Sequence, residues 1–248
     1  MKVMMVIARL NIGGAAANVI QMVDALNHLP DVEAILVNGK IGEHEGDMQY
    51  LADHYHIPQI ELASLGREVS PLRDLQTLWQ LWRLIRQYKP DVVHTHTAKA
   101  GWVGRLAAFL ARVPVRVHTF HGHVFSGYFS PRKTQVFLWM ERITARISSR
   151  VITLSESLRD EIADTYHVTH RENIEVIPLG LDLQPFTSPQ RSGEFRKKYG
   201  IPPGAPLIAV VGRLVPIKNH RLFLEAASIL HTQRPDVHFV IIGDGELR

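Results

Sequence analysis

Along the chain, short apolar runs alternate with longer stretches in which apolar residues return every third or fourth position. Residues 3–8 are apolar without a break, as in a strand covered on both faces. Residues 15–29 then place Val19, Ile20, Val23 and Leu26 at helical spacing. The same reading gives strands over 32–37, 58–62, 91–95, 115–119, 150–154 and 174–177. Between them it gives helices over 48–55, 71–90, 102–111, 131–149 and 156–166. Pro71 and Pro131 open two long helices and Pro90 closes the first, because proline fits a first helical turn and stops a helix elsewhere. Regular strand–helix alternation predicts an α/β fold, a mostly parallel sheet with helices on both faces.

After Pro178 the pattern breaks. Pro185, Pro189, Ser192 and Gly193 follow closely, and residues 200–206 hold three prolines and two glycines. This reads as a linker over 178–205 that contains a short helix at 194–199. A second βαβ unit then begins, with strands at 207–211 and 237–242 around a helix at 221–231. The predicted organisation is a complete Rossmann-like domain over 1–177, the linker, and an incomplete second Rossmann-like domain over 206–248. Some forty residues are too few for an independent α/β domain, so the second unit reads as cut short.

Composition narrows the chemistry. Of 248 residues, none is cysteine, which excludes disulfides and thiolate metal sites. The N-terminus runs straight into the first strand without the signature of a signal peptide, and no apolar run is long enough to span a bilayer. A cytoplasmic protein is expected. A net charge of +4 and a pI near 9.4 suit anionic ligands or a membrane surface, and ordinary variation explains them as well. Nothing points to nucleic acid. The helix over 71–89 interleaves Trp79 and Trp82 with Arg73, Arg83, Arg86 and Lys89. It reads either as a helix lying on an anionic membrane or as one packed between sheet and solvent.

Three stretches carry candidate chemistry. Gly13 and Gly14 follow the first strand and open a helix, where backbone amides can approach a ligand; a tight turn explains a lone glycine pair equally well. The full dinucleotide fingerprint is absent there. The loop 212–220 follows an apolar strand and precedes a helix, so it sits where open α/β sheets bind ligands. Its cations, Arg213 and Lys218, suit a diphosphate, or are two solvated surface charges. Histidines 94, 96, 118, 121 and 123 cluster in sequence. His94 and His96 share a strand face, so with a later histidine they could bind zinc, although no carboxylate is interleaved as a partner. Without a metal, the same side chains hydrogen-bond sugar hydroxyls and phosphates or simply hold structure.

Taken together, several motifs resemble the retaining glycosyltransferases of family 4, which have the GT-B fold. They are Gly13–Gly14, His94-Thr-His-Thr-Ala-Lys-Ala-Gly101, His118-Thr-Phe-His-Gly122, Val176-Ile-Pro-Leu-Gly-Leu-Asp182, Gly212-Arg-Leu-Val-Pro-Ile-Lys-Asn219 and Gly243-Asp-Gly245. The resemblance covers essentially the whole chain and implies two Rossmann-like domains facing each other across a cleft. It implies that Arg213 and Lys218 bind the donor diphosphate and offset charge on the leaving group. It implies that His121 contacts the donor sugar, and that Gly14 lets a backbone amide reach phosphate or sugar. Gly13, His96, Lys99 and Gly243 are placed with the substrate on the same ground. No metal ion and no cofactor are implied; the nucleotide sugar is a substrate. The chain departs from the family where Ala15–Ala17 follow the glycine pair in place of an acidic residue, and where Leu179 stands in place of asparagine. The family's paired glutamates, base pocket and returning C-terminal helix fall beyond residue 248.

The resulting expectation is a truncated enzyme. Its parent activity is transfer of a sugar from a nucleotide sugar to a lipid-linked saccharide in polysaccharide synthesis, with retention, at the inner face of the cell membrane. The chain alone is expected to be inactive. Two readings from other classes stand beside it: a metal-dependent hydrolase built on the histidines, and a non-catalytic module binding an acceptor or a membrane. A nucleotide-sugar epimerase of the same fold is a further alternative, against which the Arg213–Lys218 spacing weighs.

Overall fold

The architecture is described from a computed structural model, for residues 1–42, 46–66, 70–122, 125, 130–180, 183, 187 and 192–248. The chain divides into two compact units, Met1–Leu181 and Asp182–Arg248. In the first, among the described residues, seven strands form one parallel sheet: β1 (Lys2–Ile7), β2 (Glu33–Gly39), β3 (Gln59–Leu62), β4 (Val92–His96), β5 (Val115–Phe120), β6 (Arg150–Thr153) and β7 (Ile174–Val176). Their order across the sheet is β3-β2-β1-β4-β5-β6-β7. The order reverses between β1 and β4, a switch point of the kind beyond whose strand carboxyl ends open α/β sheets bind ligands.

The apolar runs alternate in their burial as a doubly covered sheet requires. Val3, Met5 and Ile7 pack with α1 (Gly14–Asn27) and α2 (Gln49–His54) on one face. Met4, Val6 and Ala8 pack with α3 (Pro71–Tyr88) and α4 (Ala98–Leu110) on the other. α5 (Pro131–Arg146) and α6 (Glu156–Asp160) cover the β5–β7 end, where Leu138, Ala145 and Ile162 meet Phe120, Val151 and Ile174. At about 25 cal/mol per Å² of buried apolar surface, this two-sided core is the main source of the unit's stability.

The second unit is smaller. β8 (Leu207–Val211) pairs in parallel with β9 (His238–Ile242), joined through α8 (His220–Gln233), and the short α7 (Glu194–Lys198) precedes them. Two expectations need correction. The helix predicted from residue 102 begins at Ala98, directly after β4, which puts Lys99 and Gly101 inside it rather than in a loop. The tight entry is made by Thr97, whose φ of 67° and ψ of 156° turn the chain within one residue. The helix predicted over 156–166 is an α-turn at Glu156–Asp160 that passes into a π-helical turn, Glu161–Thr165.

Candidate functional site

Two loci hold the side chains singled out from the sequence. The first lies at the carboxyl ends of β4 and β5. Strand alternation places His94 and His96 on one face and Thr95 on the other. Parallel register sets Thr95 opposite His118 and His96 opposite Thr119. The sheet therefore splits the histidine cluster. His118 lies with Thr95, whose hydroxyl is 2.9 Å from its Nδ1, against α4. Its ring packs so closely on α4 that a Cβ on Gly101 would stand 2.5 Å from His118 Cε1, which is why glycine occupies that helical position. On the opposite face His94 Nε2 hydrogen-bonds Thr119 Oγ1 at 2.7 Å. His96 stacks beside it, with ring centroids 4.2 Å apart, and its Nδ1 reaches His121 Nε2 at 3.0 Å. His123 lies outside the described residues.

These imidazoles are held neutral. Burial pushes His94 down to about 3, with the nearby His121 adding to the effect. Burial alone lowers His121 to about 4. His96 and His118 are driven well below the ordinary value, again chiefly by burial; neighbouring histidines add to both and Arg105 adds to His118. A neutral imidazole carries one donor and one acceptor. The His96–His121 bond uses one nitrogen of each, and among the described residues the buried His121 Nδ1 and His96 Nε2 have no hydrogen-bond partner. His121 is the half-buried end of this row and the member placed to meet a ligand. Among the described residues, no group of three or more His, Asp or Glu is arranged to hold a metal ion.

Gly13 and Gly14 stand beyond β1. Gly13 has extended backbone, and a Cβ on Gly14 would meet nothing within 4 Å. Neither glycine is demanded by a turn, so they leave the start of α1 open. Lys99 has a different setting from the one its motif suggested: its ammonium is buried and paired with Asp74 of α3 at 2.6 Å. Arg105, fully buried one turn and a half further along α4, bonds the Gly101 carbonyl at 2.8 Å and Glu141 of α5 at 2.5 Å. The sequence reading missed Arg105, Thr95 and Thr119. A charge among Val103, Ala107 and Ala108 was the available signal for Arg105, and strand register, which needs the fold, supplies the threonines.

The second locus is the loop between β8 and α8. Gly212 N–H donates to the Ile242 carbonyl and Leu214 N–H to the Asp244 carbonyl, so the loop continues the β8–β9 ladder. The contact is backbone on backbone: a Cβ on Gly243 would lie 1.9 Å from the Gly212 oxygen, and one on Gly245 would lie 2.4 Å from the Leu214 oxygen. His220 Nε2 bonds the Arg213 carbonyl at 2.9 Å and pins the loop from the helix side. A 3-10 turn, Pro216–Lys218, then brings the Lys218 side chain alongside Gly212. Arg213 and Lys218 are both exposed, and among the described residues neither side chain makes an ion pair. The frame holds two free cations beside the open start of α8, an arrangement that attracts an anion.

Comparison with known proteins adds the following. Residues 12–185 match Glycosyltransferase Family 4, and residues 192–248 match Glycosyl transferases group 1. An Escherichia coli UDP-Gal:alpha-D-GlcNAc-diphosphoundecaprenol alpha-1,3-galactosyltransferase is 37% identical over 187 residues, 74% of this chain and 48% of that protein. The Staphylococcus aureus capsular polysaccharide biosynthesis glycosyltransferase CapM is 27% identical over 189 residues, 73% of this chain and 48% of that protein. Among solved structures, Anabaena Alr3699/HepE in complex with UDP superposes with a TM-score of 0.75 at 23% identity, over 99% of this chain and 61% of that one. The chain thus spans about half the length of these curated relatives.

Proposed function

The chain belongs to Glycosyltransferase Family 4, and from that premise we propose that it carries part of an enzyme moving a sugar, with retention, from a uridine diphosphate sugar to a lipid-linked saccharide. The observation that carries this reading is the pair of exposed, unpaired cations, Arg213 and Lys218, on a loop fixed by Gly243, Gly245 and His220. Cleavage of a sugar–diphosphate bond builds negative charge on the departing phosphate, and fixed cations stabilise it without reorganising. Arg213 offers a planar fork to two oxygens and Lys218 a point charge to a third. His121, neutral at physiological pH, offers its half-buried ring edge to the sugar, and His96 fixes that ring through the Nδ1–Nε2 hydrogen bond. The start of α1 at Gly13 and Gly14 receives acceptor or phosphate through backbone amides. Gly243 acts by letting the two loops touch. The acceptor class is supported by the E. coli galactosyltransferase, whose name specifies a diphosphoundecaprenol-linked sugar.

Because the chain spans only part of its relatives, it binds donor weakly and turns over little or not at all. The test is calorimetric titration with UDP and UDP-galactose, repeated on Arg213→Ala and Lys218→Ala. Binding that falls about tenfold or more in each variant, the worth of one charge-assisted contact, supports the diphosphate site. Binding as strong in both variants as in the parent chain overturns it. Silence throughout is resolved by repeating the titration on a fusion that continues past residue 248 with the E. coli relative's sequence: recovered, Arg213-dependent binding supports the reading, and continued silence overturns it.

A further inference from the structure

Thr97 joins β4 to α4, and its backbone and its side chain both depart from what the fold requires. A φ of 67° with a ψ of 156° is a conformation that glycine enters freely and that a side chain with a Cβ resists. Thr97 is nevertheless β-branched, and among the described residues it is the only β-branched one with a positive φ. Its hydroxyl is not used locally either. A threonine that precedes a helix ordinarily accepts an N–H of the first turn, but Thr97 makes no such bond to α4.

The hydroxyl turns across the sheet instead. Thr97 Oγ1 accepts from the N–H of Ala8, just past the end of β1, at 3.4 Å. That distance is at the outer limit for such a bond, so the contact contributes less to stability than the strained backbone costs. Glycine would make the same turn without strain, and a capping threonine would hold the helix better. Neither structural demand accounts for this residue.

Its position does. β1 and β4 are the strands between which the sheet order reverses, and Thr97 bridges their carboxyl ends, where open α/β sheets bind ligands. It is half-buried, so a ligand can reach it. Its oxygen faces the Ala8 amide, and among the described residues its own proton has no protein acceptor. Lys99, the cation of the same motif, is already paired with Asp74. A hydroxyl with a proton to give is a natural partner for a sugar hydroxyl, which can accept and donate in turn. We propose that Thr97 contacts the acceptor saccharide, donating its hydroxyl proton to a sugar oxygen, and that the strained backbone is what aims it there. The inference rests on the transferase reading above and adds to it a residue of the first unit that selects the acceptor.

The experiment is calorimetric titration of the 248-residue chain with N-acetylglucosamine α-linked to a short alkyl diphosphate, a soluble form of the acceptor in the E. coli relative's name, alongside urea midpoints. Thr97→Gly removes strain and hydroxyl together. Its midpoint should equal or exceed the parent's, while its binding weakens about tenfold, as expected where a polar partner is left unpaired. Thr97→Ala keeps the strain and loses the hydroxyl, so it should bind as weakly as Thr97→Gly at a lower midpoint. Thr97→Ser keeps the hydroxyl and should bind like the parent. UDP binding should be the same in every variant, because it is assigned to Arg213 and Lys218. A Thr97→Gly midpoint clearly below the parent's overturns the proposal, since the hydroxyl would then serve the fold through Ala8. Analogue binding equal in Thr97→Gly and parent, or absent in the parent, overturns it too. If UDP binding depends on Arg213 while the analogue is indifferent to Thr97, this inference falls alone. If neither ligand binds, even to the fusion described above, the transferase reading falls with it.

Discussion

At the scale of single residues, the histidines set an acid limit on the fold. His94, His96 and His118 are buried neutral and their affinities for protons lie far below that of an unfolded imidazole, near 6.5. The unfolded chain therefore binds more protons in mild acid. The stabilising contribution is complete above about pH 6.5 and is lost as pH falls below it. Each such group contributes a slope of at most about 1.4 kcal/mol per pH unit until its folded value is reached, near 3 for His94. Urea midpoints should fall between pH 7 and pH 5.5, before most carboxylates begin to titrate. His94→Gln, which removes one of the protons taken up, should flatten that dependence even where its overall stability is lower. Equal midpoints at the two pH values would mean these imidazoles are charged or solvated in the folded protein.

At the scale of elements, α4 is tied to both neighbours by buried charge: Lys99 to Asp74 of α3, and Arg105 to Glu141 of α5. Removing one member of a buried pair leaves the other unpaired in low dielectric and costs about 3–5 kcal/mol, whereas replacing both with apolar residues is often close to neutral. Glu141→Leu should therefore destabilise strongly, and Arg105→Met with Glu141→Leu should recover most of the loss in a chemical-denaturation cycle. Additive single effects would show that the pair is not coupled. The same helix marks where sequence reading stopped. Periodicity located the strands and helices to within a few residues, because a doubly covered sheet writes its apolar runs plainly. It did not locate the start of α4, since Thr97 makes the turn with a left-handed backbone that no glycine or proline announces. It grouped five histidines by proximity in sequence, and strand register then put His118 on the opposite face of the sheet from His94 and His96. The Lys99 ammonium looked like a ligand in its motif; its partner, Asp74, lies on another helix and is visible only once α3 and α4 are packed. The tryptophans of α3 fitted a helix on a membrane or one packed between sheet and solvent; which side faces the sheet, Leu81 and Ile85 rather than Trp79, is visible only once the helix is packed.

At the scale of the whole molecule, burial is distributed unevenly between the units. The sheet of the first unit is covered on both faces, and Met4, Met5, Val6, Leu36 and Val93 have no exposed surface. In the second unit, β8 and β9 form a two-stranded sheet on which Ile208, Val211 and Ile242 remain exposed, and Ile201, Ala227 and Val237 are its buried apolar side chains among the described residues. Two strands with so little buried surface are marginal alone. Opening free energies should differ accordingly, since local stability follows the apolar area an element buries. Hydrogen exchange should show the amides of β1, β4 and β5 protected for long times, and those of β8 and β9 exchanging early, though both sets sit in parallel ladders. This bears on function because the Arg213–Lys218 loop takes its shape from that second ladder, through Gly212 on Ile242 and Leu214 on Asp244. Any ligand that binds the loop must also stabilise the ladder, by an amount set by its concentration relative to its dissociation constant. UDP should therefore slow exchange in β8 and β9 while leaving β1 and β4 unchanged, and Arg213→Ala should abolish that protection. Protection by UDP confined to the first unit would place the nucleotide there and remove the diphosphate role from this loop.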